Sequence, residues 1–454
     1  MFKTFFIMKT NILKFLFLVF SISIFAQAGH IMQGVGAVNM SMGGAATAQP
    51  LDISGAMQWN PATLSAFNSK TLKLDVGLFF SSPELTSSLP VGMLGPGAPA
   101  VSGTTKDDRG MSPMPALAMV WGKEGSKHTF GASAFGISGF GVTFPEEANN
   151  PLSPIFNPTV NSNPVNYPQA ARGFGYIESD YMLLQVGLSY AYELSDKFSI
   201  GLQPNINYAA LELAPNPTAN PSSAGYPTTD KASAIGFGAQ VGLFYDSGFG
   251  LKLGASYKTA QKFSEFEFNN TYLDNSTSKN KFKMDYPAIL SLGFGYSTDA
   301  IDFALDFRRV DYENTEGFST TGWTPTASVA GFGWKNISIL STGLQYKGIN
   351  KLPLRLGYTY SSNPIPEEIT FFNIPATAVI KNAYQFGLSY IVNDNWKVDA
   401  VYHYGDSNGA TEGKILNPMM ASPSNPYGAI LGSSVSYEMT TSMIQFGISY
   451  TFNK

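Results

Sequence analysis

The residues that could carry chemistry are few and scattered. The chain has three histidines, His30, His128 and His403, and no cysteine. Without cysteine there is no disulfide framework, no thiol nucleophile and no thiolate metal site. The histidines fall in separate parts of the chain and none sits in a nucleophile or metal-ligand spacing, so no enzyme activity, metal or other cofactor is expected. The cations are more suggestive. Lys252, Arg308 and Arg355 lie on the small, polar side of segments whose other side is bulky, where a guanidinium or ammonium could grip a carboxylate head group. Asp302, Asp306 and Glu193 share that side and compete for them through internal ion pairs.

The elements that would position these groups are strands. Only 13% of the 454 residues are charged, against roughly 25% in ordinary domains. No stretch after the first thirty or so residues is apolar enough for a membrane helix, so the apolar surplus is spread over many short elements. Leu72, Leu74, Val76, Leu78 and Phe80 alternate with Lys73, Asp75, Gly77 and Phe79, and Ile444, Phe446, Ile448, Tyr450 and Phe452 alternate with Gln445, Gly447, Ser449 and Thr451. The same period-two pattern predicts strands at 70–81, 113–123, 127–140, 180–193, 197–212, 234–246, 249–267, 282–297, 300–310, 335–347, 351–362, 379–392, 395–405 and 434–452. The less bulky face is rich in Gly and Ser instead of long charged residues, which fits the crowded inside of a barrel with its greasy face toward lipid. Tight turns such as Ser195-Asp196, Thr298-Asp299 and Asn393-Asp394-Asn395 alternate with long loops, and Tyr190, Tyr245, Tyr296, Tyr346, Tyr390 and Tyr450 recur at strand ends as an aromatic girdle would. A net charge of −4 without a basic block gives no reason to expect nucleic acid.

Ahead of the strands, Lys3, Lys9 and Lys14 accompany an apolar run from Phe15 to Phe25, and Ala26-Gln27-Ala28 offers a cleavage site, so residues 1–28 are expected to be an export signal. Residues 29–69 are small, apolar and nearly uncharged, lack both strand alternation and a long amphipathic face, and close on Asn60-Pro61-Ala62 just before the first strand. A Gly/Ala-rich segment ending in Asn-Pro-Ala and followed by amphipathic strands to the C-terminus resembles the FadL family of outer-membrane transporters for long-chain fatty acids and other hydrophobic compounds (OmpP1/FadL/TodX type).

That resemblance implies a fourteen-stranded antiparallel transmembrane barrel at 70–454, with 29–69 as a hatch inside the lumen, in the outer membrane of a Gram-negative bacterium. It implies passive uptake of a fatty acid or aromatic hydrocarbon by a monomer seated in outer-membrane lipid. By the same resemblance Asn60, with Pro61 and Ala62, pairs with a wall strand where that strand is kinked. The strand carrying Gly131, Gly136 and Gly139, with Gly141 beyond, is the natural partner, since glycine permits bulges. Two long loops are apolar enough for capture: Phe144–Ser179, with Phe156, and the loop after Gly405, with Met419 and Met420. The alternative is a general porin for polar solutes, which needs no plug. The chain ends Phe452-Asn453-Lys454, displacing the family's terminal aromatic by two positions.

Overall fold

Bulky residues at every second position can share one side only in an extended backbone, and strands are what these segments form. The computed structural model describes residues 29–452, so the expected export signal and the last two residues lie outside the described part. Fourteen long strands make up the wall: β1 (Lys70–Leu89), β2 (Ser112–Trp121), β3 (His128–Phe144), β4 (Ile177–Ser195), β5 (Phe198–Ala214), β6 (Ala232–Asp246), β7 (Leu251–Lys258), β8 (Ala288–Ser297), β9 (Ile301–Asp311), β10 (Ile337–Tyr346), β11 (Leu354–Ser361), β12 (Asn382–Ile391), β13 (Trp396–Asp406) and β14 (Ser434–Thr451). Each runs antiparallel to its neighbours, and β1 pairs with β14 from Thr71↔Thr451 to Ser88↔Ser434, closing the sheet into a barrel. No described helix is long and apolar enough to cross a bilayer; the strands are the spanning elements.

The faces are inverted relative to a soluble sandwich. Leu74 is 47% exposed while Lys73 and Asp75 on either side are 1% exposed. The six girdle tyrosines all lie half-buried or exposed near the end of the barrel that carries the short turns, and the long loops gather at the other end.

Several strand bounds depart from expectation, 249–267 and 282–297 most, the latter beginning only at Ala288. The stretch 249–267 does not continue as a single stave: β7 ends at Lys258, and Phe266–Thr271 joins Thr277–Phe282 and Thr228–Thr229 in a separate three-stranded sheet. The reason is burial, because Phe266 and Phe268 are fully buried among loop residues instead of facing outward. Conversely, β1 runs on past Ser81 to Leu89, with Pro83 opposite Met439.

Residues 29–69 fill the lumen. Two short helices, α1 (Ala37–Ser41) and α2 (Ile53–Trp59), and a 3-10 turn at Pro61–Ala66 are almost wholly buried. Such short helices cannot persist alone; the wall holds them. The Asp52 carboxylate accepts from Gly55 N at 3.0 Å and caps α2. The glycines of the wall make room for this plug. A Cβ at Gly254 would stand 2.0 Å from the Thr47 carbonyl oxygen, and one at Gly357 2.2 Å from Gly43 N.

Candidate functional site

The plug is tied down by carboxylates that the wall points inward. Asp75 on β1 accepts from Ala37 N at the start of α1 at 2.9 Å. Asp306 on β9 accepts from Ala46 N and Thr47 N, each at 2.9 Å, and from the Thr47 hydroxyl at 2.7 Å. Lys73 lies 2.5 Å from Asp52 of the plug and 3.2 Å from Asp399 of β13, so one ammonium bridges the plug and two staves. These are charge-assisted bonds between buried groups of the plug and the wall.

The three cations considered as head-group ligands are engaged here too. Arg308 pairs with Asp306 at 2.5 Å, donates to Gly44 O at 2.8 Å and lies over the Trp59 ring at 3.7 Å. Lys252 donates to Gln49 Oε1 and Ser297 Oγ, each at 2.9 Å, and Arg355 donates from Nε to Gln345 Oε1 at 2.7 Å and from Nη2 to Ser389 Oγ. Arg308 and Lys252 thus clamp the plug to the wall, and Arg355 joins staves.

Asn60 ends α2 and begins the next turn. Its side-chain oxygen accepts from Ala62 N at 3.1 Å, Pro61 occupies the first position of the turn where no N–H is needed, and its amide donates to Thr47 O at 2.8 Å and Leu243 O at 2.9 Å. The wall strand that Asn60 meets is therefore β6, not the kinked one. The kinked strand is β3, where pairing with β4 shifts register between Gly136 and Ser138. It is met from within by the first described residues: Met32 N donates to Ile137 O at 3.0 Å, and His30 O accepts from Gly139 N at 3.3 Å and from the Ser138 hydroxyl at 2.8 Å. The bulge leaves Ile137 without a partner on β4, and the N-terminal segment takes up the loosened backbone.

At that bulge the wall is incomplete. The β2–β3 ladder runs from Trp121↔Phe130 up to Ala116↔Phe135 and stops, although β2 still pairs with β1 as far as Ser112. Pro113 and Pro115 lie on β2 just above that point and bring no N–H. A cavity of about 340 Å³ occupies the gap, lined by Met111, Pro113 and Met114 on one side, Gly139, Phe140 and Gly141 on the other, and His30 and Met32 from the plug. It also touches Tyr181 and Met182 of β4, the first buried toward the lumen and the second exposed on the outer face, so it lies within the thickness of the wall.

Inward of the gap lies an aromatic chamber. The His30 imidazole stacks on Phe318 at 5.0 Å and is ringed by Tyr286, Tyr312, Trp334, Tyr181 and Phe140. Its Nδ1 meets the Tyr312 hydroxyl at 2.9 Å while Nε2 has no protein partner, and burial pushes its pKa from 6.5 down to about 3. Above, four long loops converge on an apolar groove lined by Phe174, Tyr226, Trp323, Phe371 and Phe372. Phe156 packs edge-on against Tyr167 within its own loop, and Met419 is 89% exposed, so neither these two nor Met420 lines that groove. His128 meets the Tyr190 hydroxyl beside a short turn, His403 is buried against Gln385, and no cluster among the described residues could hold a metal ion. Sequence reasoning weighed His30 only for catalysis or metal binding and gave it no role, and it passed over the two prolines of β2; proline twice within one strand was the available signal.

The family model described as "Outer membrane protein transport protein (OMPP1/FadL/TodX)" matches residues 165–453. The chain belongs to this family. It is an outer-membrane barrel of a Gram-negative bacterium and a transport protein, not an enzyme. This FadL-type barrel superposes on the toluene transporter TodX of P. putida with a TM-score of 0.63 at 16% identity, covering 93% of this chain and 99% of that one. A Pseudomonas aeruginosa FadL homologue gives 0.68 at 14%, covering 94% and 100%, and the Ralstonia pickettii toluene transporter TbuX gives 0.61 at 17%, covering 93% and 99%. At such identities the likeness concerns the fold. No curated protein sequence matches the chain.

Proposed function

We propose that this protein takes up hydrophobic small molecules passively and releases them sideways through the gap between β2 and β3. The observation that supports the reading is the cavity at the β3 bulge, where the β2–β3 ladder is interrupted, backed by a plugged lumen. Moving one methylene from apolar surroundings into water costs about 0.8 kcal/mol, so a long hydrocarbon gains nothing from a wet pore and much from a dry route. The groove formed by the long loops serves for capture, the chamber around His30 for transit, and withdrawal of residues 29–32 from the bulge for release. Solved structures of this fold include transporters described as carrying toluene and a "monoaromatic hydrocarbon channel", which fits an apolar cargo. A fatty acid and an aromatic hydrocarbon are both within this reading, with the barrel acting as a monomer in outer-membrane lipid.

A porin would predict ion conductance in planar bilayers and indifference to the state of the gap. The test uses the absence of native cysteine. Met114→Cys and Gly136→Cys, bridged by a short bis-maleimide, tie β2 to β3 across the gap; the Met114 methyl already lies 3.5 Å from where a Cβ at Gly136 would be. Uptake of radiolabelled dodecanol is expected to stop on bridging. Uptake that continues at the unbridged rate refutes lateral release.

A further inference from the structure

The gap between β2 and β3 is closed at its lower end by their ladder, but it is also closed at the top. There the segment before β2 returns to β3: Asp108 N donates to Thr143 O at 2.8 Å, and Thr143 N donates to the Asp107 carboxylate at 2.5 Å. Arg109 then reaches across β3 to β4. Its Nη2 lies 2.5 Å from Asp180 Oδ1 and its Nη1 donates to Ser179 O at 3.0 Å. It crosses at Gly141, where a Cβ would stand 2.3 Å from Nη1, so only glycine leaves a groove for the guanidinium. Asp180 is held from its other oxygen by Lys231 at 2.6 Å.

The gap is therefore a framed window. At roughly 3.3 Å per residue, the stretch of β3 from Phe135 to Gly141 gives it a height of about 20 Å. We propose that Arg109 is the lintel of this window, a specificity-determining residue whose strap across Gly141 to Asp180 limits the bulk of the hydrophobic molecule that leaves. This rests on the lateral release proposed above and adds a residue that sets its selectivity.

The argument is geometric. Arg109 lines the cavity in the gap, whereas the backbone bonds of Asp107 and Asp108 lie beyond it at Thr143. A fork that bonds both a carboxylate and a carbonyl fixes its own position, which a flexible ammonium does not. The ion pair is partly exposed, with the Arg109 side chain 19% and the Asp180 side chain 24% accessible, so the lintel is a weak, reversible closure and not a foundation of the fold.

The experiment compares uptake of slim dodecanol and flat, wide phenanthrene by cells carrying Arg109→Ala, Gly141→Ala or Arg109→Lys, with heat-dependent gel mobility confirming folded barrels. Arg109→Ala is expected to raise the phenanthrene-to-dodecanol uptake ratio roughly fivefold, the population change that follows from losing a weak closure. Gly141→Ala keeps both charged groups yet sets a Cβ 2.3 Å from Nη1 and 2.8 Å from the Ser179 carbonyl oxygen that Nη1 bonds, so the strap loses its seat, and it is expected to raise the ratio likewise; Arg109→Lys is expected to fall between. An unchanged ratio in both alanine variants, while the bis-maleimide bridge still stops dodecanol, overturns the lintel and leaves lateral release standing. Uptake that survives the bridge removes both.

Discussion

Docking of the N-terminal residues on the β3 bulge is predicted to weaken in acid, because of His30. Its imidazole is 2% exposed and burial lowers its pKa from 6.5 to about 3. The undocked residue, in water, binds a proton more readily than the docked one. Docking is thus at full strength above pH 6.5 and loses free energy as pH falls from 6.5 toward 3. At pH 5 the undocked histidine is 1.5 pH units below its pKa, and at ~1.36 kcal/mol per unit the loss is about 2 kcal/mol, roughly thirtyfold in the docked-to-undocked ratio. The assay is deuterium exchange at the Met32 amide, which donates to Ile137 O only when docked. Rates in detergent micelles at pH 7 and pH 5 are divided by the intrinsic rate at each pH, with pH values chosen to bracket the ordinary histidine range of about 6.5. Protection is expected to fall by roughly thirtyfold in the wild type, and to stay constant in His30→Phe, which keeps a ring in the cage without a titrating nitrogen. Equal protection at both pH values in the wild type, or an equal fall in His30→Phe, refutes the reasoning.

Asp306→Ala removes the acceptor for Ala46, Thr47 and Arg308 at once and leaves a buried guanidinium unpaired, a change costing about 3–5 kcal/mol; planar-bilayer conductance is expected to rise as the plug loosens within an intact barrel. Asn60→Ala loses a cap worth about 1 kcal/mol together with the bonds to Thr47 O and Leu243 O, and a fall in dodecanol uptake is the expected result. Undiminished uptake would show that this anchorage plays no part in transport. Gly254→Val places atoms where the Thr47 carbonyl now sits, and displacement of the plug is expected to appear as proteolytic clipping within residues 29–69 while the barrel core resists.

The wall was legible because its signal is repetitive. Leu72, Leu74 and Val76 declare an outward face with no help from distant residues, and the tyrosines mark one rim. The failures are places where a distant partner decides. Phe266 and Phe268 obey the same alternation as the staves, but loop residues bury them and take the segment out of the barrel. Asn60 was expected at the kinked strand, yet which stave it reaches depends on how far the plug is rotated in the lumen, and no local pattern encodes that rotation. Lys252, Arg308 and Arg355 were correctly placed facing inward, but whether an inward cation meets a ligand or a carbonyl of the plug is a matter of tertiary packing. His30 carried no spacing signal, since its six aromatic neighbours come from five other segments of the chain.

Because β1 zips to β14 along nearly its whole length, the cylinder cannot be completed until the final stave has been made and exported. Until then the first stave holds one unsatisfied edge, and the stopper tethered to it has an open trough, not a tube, in which to settle. A chain cut short before Ser434 would lack the closing edge, and its anchoring carboxylates at Asp75 and Asp306 would face a lumen that water can enter from the side.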